Sequence, residues 1–269
     1  MKLSFGNVLS ESFGFFFGNL RLFFHLVTIP WIISLLLRVA NSALGGDTPF
    51  AALIEKALDA VPTVMFMTAW MRVTLLGTAR LDGLPGLGWS RRETAVMVHL
   101  LQVAGMTFVL IAAFMMMMGP LDLESLRRGT PADPELAQRQ ALAAPLAMGF
   151  IVSAVLALRV CFGLAASAVD VPFTPRHSWA YSRGNAWTII GLLFLILIAN
   201  AIATMMALIV PLQLVRGVLG ADTAAAVIAW ASAILVSYGG VAIMATAQAV
   251  IFRNLTGWRD GLPLAQAPS

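Results

Sequence analysis

Residues 186–215 read AWTIIGLLFLILIANAIATMMALIVPLQLV, with no charged side chain anywhere in the stretch. A helix needs about 20 mostly apolar residues to cross a hydrocarbon core about 30 Å thick, so this segment reads as a membrane span. The rest of the chain has the same character. Of its 269 residues, 59% are hydrophobic and 11% charged, and the mean hydropathy is +0.87. That composition leaves too little polar surface to coat a water-soluble globule.

Five further segments pass the same test: Leu22 to Leu44, Val61 to Ala79, Val96 to Gly119, Ala141 to Val169 and Thr223 to Phe252. Turn chemistry separates them: Gly45-Gly46-Asp47 with Pro49, Asp82-Gly83-Leu84-Pro85, a polar stretch from Leu121 to Gln140, Pro172 with Pro175, and Arg216-Gly217 to Asp222. The expected fold is an all-α integral membrane protein with six transmembrane helices, forming one membrane domain over residues 1–269.

Basic residues set the expected orientation. The amino terminus, the Arg80 to Arg92 and Arg176 to Arg183 connections and the tail hold nine of them: Lys2, Arg21, Arg80, Arg91, Arg92, Arg176, Arg183, Arg253 and Arg259. The opposite side holds six, namely Arg38, Lys56, Arg127, Arg128, Arg139 and Arg216, which predicts a cell-membrane protein with both termini in the cytoplasm. A pI near 10 would suggest nucleic acid in a soluble domain, but here the basic residues flank apolar runs. Membrane lipids are the expected partners, and nucleic acid is not. Lys2 and Ala40-Asn41-Ser42 loosely imitate a signal peptide, yet the charged region is minimal and Glu11 and Arg21 interrupt it. The single cysteine, Cys161, lies in an apolar run and reads as helix packing.

The chain reads as three copies of one unit, over approximately 1–84, 85–172 and 173–257, with a short polar tail at 258–269. Arg72-Val73 stands thirteen residues before Pro85, and Arg159-Val160 stands thirteen residues before Pro172. An aspartate precedes each proline, Asp82 and Asp170, and Trp89-Ser90 and Ser178-Trp179 follow. Ser12-Phe13 leads to Gly18-Asn19 at the spacing by which Ser178-Trp179 leads to Gly184-Asn185. Each unit is expected to be a cytoplasmic amphipathic helix followed by a transmembrane hairpin, giving parallel repeats about a pseudo-threefold axis. The short helices are expected over Ser4 to Leu20, Gly88 to His99 and Pro175 to Trp187. In the first, Phe5, Val8, Leu9, Phe13, Phe16, Phe17 and Leu20 follow helical spacing, as an interfacial helix requires; the alternative is a simple extension of the first span.

The string Ser178-Trp179-x-x-Ser182-Arg183-Gly184-Asn185-x-Trp187, with its amphipathic prelude and following apolar helix, resembles YciC-type bacterial membrane proteins. It is also similar to the membrane region of some glycerophosphodiester phosphodiesterases. The resemblance implies a bacterial inner-membrane location and an interfacial role for Trp179, Arg183, Gly184 and Asn185. The soluble phosphodiesterase domain has no counterpart here, so no catalytic residue is carried over.

Reactive chemistry is sparse. His25, His99 and His177 stand apart without carboxylates at ligand spacing, so no metal or cofactor is expected. No Gly-rich loop joins a strand to a helix, and no serine is singled out with a base, so an enzyme is not expected. Met115 to Met118 points around a whole helix turn and suits lipid packing, while Gly239-Gly240 and the alanines of the last span suit close helix contact. Arg72 and Arg159 are the candidate site residues, because an arginine inside a membrane helix costs at least about 2.5–3.5 kcal/mol at mid-bilayer by insertion scales. Two readings follow. Each arginine pairs with helix carbonyls or an acid such as Glu11, Asp82 or Asp170 and fixes packing, or both line a cytoplasm-facing cavity for an anionic lipid or small anionic molecule. The corresponding stretch of the third unit, Tyr238 to Gln248, carries no charge. Beside that binding or transport role stand a non-catalytic membrane scaffold and, less favoured, an intramembrane enzyme.

Overall fold

The computed structural model describes residues 2–45, 48–78, 88–117, 149–219, 222–260 and 262, and among them every regular element is a helix. In chain order these are α1 (Phe5–Gly18), α2 (Leu20–Ala43), α3 (Pro49–Leu76) and α4 (Arg91–Met117). Then come α5 (Gly149–Ala168), α6 (Pro175–Tyr181), α7 (Ala186–Leu219) and α8 (Asp222–Thr256). Five of them, α2, α4, α5, α7 and α8, are long and apolar enough to cross a membrane. Asp82, Pro85, the polar connection Leu121 to Gln140 and the start of the expected fourth span lie outside the described residues.

The expected boundary that moves furthest is the start of the second span. Instead of opening at Val61, α3 is a 28-residue helix opening at Pro49. Thr48 caps it, its hydroxyl accepting from the Ala51 N–H at 3.2 Å, and Pro49 occupies the first turn, where its missing N–H costs nothing. Pro62, buried mid-helix, forfeits one backbone hydrogen bond but does not end α3. The early start brings Glu55, Lys56 and Asp59, which precede the expected span, onto the same helix.

A second difference concerns the short helices. α1 is separate from α2, with Asn19 at the joint in a non-helical conformation and its side-chain amide donating to the Phe15 carbonyl at 2.8 Å. α6 is likewise separate from α7, with Gly184 at φ +77° between them. The expected break after Gly88 to His99 is missing: α4 runs unbroken from Arg91 to Met117. The Gly-Asn punctuation at 18–19 and 184–185 has no equivalent there, and a helix without a breaker continues.

α8 is the centre of the bundle and touches α1, α2, α3, α5 and α7. Its buried face is small, with Ala225, Ala229, Gly240, Ala242, Ala245 and Ala249 letting neighbouring backbones approach. Larger side chains fill two aromatic clusters. In one, Phe23 meets Phe16 at 5.1 Å and Phe66 at 5.8 Å, while Phe66 meets Tyr238 at 5.3 Å between ring centroids, and Trp70 donates its indole N–H to Thr246 at 2.8 Å. In the other, Phe173 packs on Phe162, Tyr181 and Phe252. Burial of the Tyr181 ring pushes its phenol pKa above the ordinary tyrosine value. The exterior, by contrast, is apolar: Leu101 and Phe108 on α4, and Trp187, Ile202 and Met205 on α7, are exposed, as suits lipid.

α1, the α6–α7 turn and the last residues of α8 gather at one end of the bundle. Glu11 on α1 pairs with Arg253 near the end of α8, and the Leu3 N–H donates to the Asn185 side chain at 2.8 Å.

Candidate functional site

Polar side chains recur at helical spacing towards the end of the bundle away from α1. On α2 these are Ser34 and Arg38; on α3, Glu55, Asp59 and Thr63; each set is spaced by four, which stacks it on one helix face. Thr204 on α7 and Trp230, Ser237 and Tyr238 on α8 face the same space, which is a cavity of about 560 Å³ between the four helices.

The charges are arranged unevenly around it. Arg38 donates to the Glu55 carboxylate at 2.9 Å and lies 5.1 Å from the centre of the Trp230 ring. Glu55, only 7% exposed, also accepts from the Asn41 side chain at 2.5 Å, so its charge is met by one cation and one neutral donor. The Tyr238 hydroxyl and Ser34 share a hydrogen bond of 2.8 Å, and Thr63 donates to the Asp59 backbone carbonyl at 2.8 Å. Asp59 stands differently. Its Oδ1 is shielded from solvent and receives no donor among the described residues. Lys56, one turn away on the exposed side of α3, lines the same cavity but forms no ion pair with Asp59.

Sequence reasoning missed this site because it started the second span at Val61 and left residues 55–59 in solvent. The available signal was the four-residue spacing of Glu55, Asp59 and Thr63 running into an apolar helix, opposite Ser34 and Arg38 at the same spacing. Ionisable groups so placed within a membrane bundle mark a functional site by default.

Arg72 on α3 and Arg159 on α5 are placed elsewhere, and neither lines the cavity. Arg72 donates to the Ala168 carbonyl at 3.2 Å, at the end of α5, where carbonyls lack helical partners. Arg159 donates to the Ser182 hydroxyl at 2.8 Å and the Trp179 carbonyl at 3.3 Å, with its guanidinium 3.4 Å from the centre of the Trp179 ring. It clamps α6 to α5. Of the other interfacial-motif residues, Gly184 makes the left-handed turn, Asn185 begins α7 by accepting the Ile189 N–H at 3.0 Å, and Arg183 is exposed.

The clamp yields a prediction. Lysine keeps the charge of Arg159 but not the planar fork that stacks on Trp179 while donating twice. Arg159→Lys is expected to lose about 1 kcal/mol of stability, read from thermal unfolding in detergent, with faster proteolysis at the α6–α7 turn. Unchanged unfolding and proteolysis would remove the clamp.

One more buried polar group lies near Gly163, in the 3₁₀ turn Cys161–Gly163 of α5. An added Cβ there would lie 2.7 Å from Ser178 Oγ and 3.0 Å from His99 Cε1. Ser178 Oγ and His99 Nε2 both lack hydrogen-bond partners among the described residues, so they are not joined as nucleophile and base. The Cys161 thiol accepts from Gln248 at 3.4 Å and packs in this core. Among the described residues no set of three or more His, Cys, Asp or Glu is placed to hold a metal ion. The chain matches no family model, no curated protein and no solved structure.

Proposed function

We propose that this chain is a six-span membrane protein, with α3 as the sixth spanning helix, whose work is to bind or move a small headgroup-bearing molecule through the α2–α3–α7–α8 cavity. The observation that carries this reading is the cavity's charged lining: four charged residues, Arg38, Glu55, Lys56 and Asp59, on helices with exposed apolar side chains. Placing charge there is expensive, and a purely structural bundle would not need it. With the α1 end taken as cytoplasmic from the distribution of basic residues, the cavity opens towards the opposite leaflet. α1 and α6 then lie along the cytoplasmic interface, and the resemblance carried by Trp179 to Trp187 implies the bacterial inner membrane.

Filling the cavity tests the proposal. Thr204→Trp adds an indole where the wall now has a methyl and a hydroxyl. In native mass spectrometry from mild detergent, the wild type is expected to carry a co-purified molecule that the variant lacks, with both equally folded. The same bound complement in both proteins would refute the cavity as a binding site.

A second reading rests on the α6 side. Arg159 and Arg183 lie close enough to interact, neither has a carboxylate partner among the described residues, and the exposed Trp179 and Trp187 flank them. That surface suits an anionic headgroup at the cytoplasmic interface. It is compatible with the cavity and lies at the other end of the bundle.

A further inference from the structure

We propose that the ligand of the α2–α3–α7–α8 cavity is zwitterionic, with an ammonium that donates to Asp59 and an anionic group that meets Lys56. This rests on the cavity being a binding site and concerns which chemistry it selects.

The argument is an accounting of charge and hydrogen bonds. Arg38 and Glu55 satisfy each other at 2.9 Å, with Asn41 and the Trp230 ring completing their surroundings. The Tyr238 hydroxyl is occupied by Ser34. What the cavity lining leaves without an ion-pair partner among the described residues is the half-buried Asp59 carboxylate and the exposed Lys56 ammonium. A ligand N–H that donates to this carboxylate makes a charge-assisted hydrogen bond, about twice as strong as a neutral one. The two groups lie one turn apart on α3, three positions along the helix, so a short molecule can reach both. Other charged and polar groups facing Asp59 do not already answer it. Arg38 on α2 is neutralised by Glu55, and Tyr238 on α8 brings no charge.

An anion alone would leave Asp59 unmatched and repelling, and a simple cation would leave Lys56 idle. A quaternary ammonium brings positive charge without an N–H, so it cannot donate that hydrogen bond. The favoured chemistry is therefore a primary amine beside a phosphate or carboxylate, carried by a lipid headgroup or by a free aminoalkyl phosphate.

The test uses the full chain, stripped of lipid and titrated with phosphatidylethanolamine, phosphatidylcholine and phosphatidylglycerol of one acyl composition, with occupancy read by native mass spectrometry. The wild type is expected to prefer phosphatidylethanolamine over the other two by about tenfold, the worth of one hydrogen bond to a charged group. Asp59→Asn should erase that preference while leaving the fold intact. Lys56→Gln should weaken phosphatidylethanolamine binding yet keep its advantage over phosphatidylcholine. Should no lipid be preferred, thermal stabilisation by O-phosphoethanolamine, present in the wild type and absent in Asp59→Asn, assigns the same chemistry to a soluble ligand. The proposal is overturned if phosphatidylglycerol binds as well as phosphatidylethanolamine, if Asp59→Asn keeps the preference, or if neither probe responds. Binding of phosphatidylglycerol that Thr204→Trp abolishes would sink the zwitterion while leaving the cavity standing.

Discussion

Arg38→Ala is expected to lower stability by about 2–3 kcal/mol, and replacing Arg38 and Glu55 together by leucine is expected to recover most of that loss. Removing one partner of a buried ion pair costs about 3–5 kcal/mol because it strands the other charge. The figure is smaller here because the Arg38 side chain is 41% exposed and Asn41 continues to donate to Glu55. Removing both charges strands neither, and two leucines supply packing where a membrane bundle tolerates it. Unfolding in a graded detergent series compares the wild type, Arg38→Ala and the double leucine variant. If the double variant is as unstable as Arg38→Ala, the ion pair itself stabilises α2 against α3, and the view that Arg38 chiefly neutralises Glu55 fails.

Gly240→Leu should do more damage, about 3 kcal/mol or more, by forcing α7 and α8 apart. A Cβ added at Gly240 would stand 1.9 Å from both Cγ and Oδ1 of Asn200, so even alanine requires the amide to leave its site. Overpacking in a tight core costs about 1–3 kcal/mol for one or two extra carbons, and leucine adds four. The neighbouring glycine is the control. An added Cβ at Gly239 meets only Phe16 Cζ at 3.5 Å, an ordinary contact, so Gly239→Ala should unfold within about 0.5 kcal/mol of the wild type. Asn200→Ala should rescue Gly240→Ala by vacating the clashing volume. Equal effects at 239 and 240, or no rescue, would place the hairpin's tolerance elsewhere.

Both predictions depend on groups that the sequence displays but does not rank. Gly239 and Gly240 are the same residue type, adjacent, in one apolar helix, and only the position of Asn200 on α7 separates them. The same holds for the arginines. Arg72 and Arg159 drew attention as charges within apolar runs, and their height could be read from Pro85 and Pro172. Their partners could not, because the Ala168 carbonyl and the Trp179 ring are brought to them by packing between helices. In the sequence Arg38 is one arginine towards the end of an apolar run, and only the start of α3 at Pro49 sets Glu55 against it.

The chain's sequence determined that it is helical and suited to lipid, since thirty uncharged positions at 186–215 leave the backbone nowhere in a hydrocarbon layer to bond except within itself. It also placed the breaks at Gly18-Asn19 and Gly184-Asn185, where local backbone chemistry decides. The tertiary structure alone decided where α3 starts, that α4 runs without a break, and that Arg38, Glu55, Lys56 and Asp59 surround one cavity. The physical reason is one of range. Hydropathy and turn chemistry act between near neighbours, whereas a cavity is made by side chains from α2, α3, α7 and α8 that meet only when the helices pack.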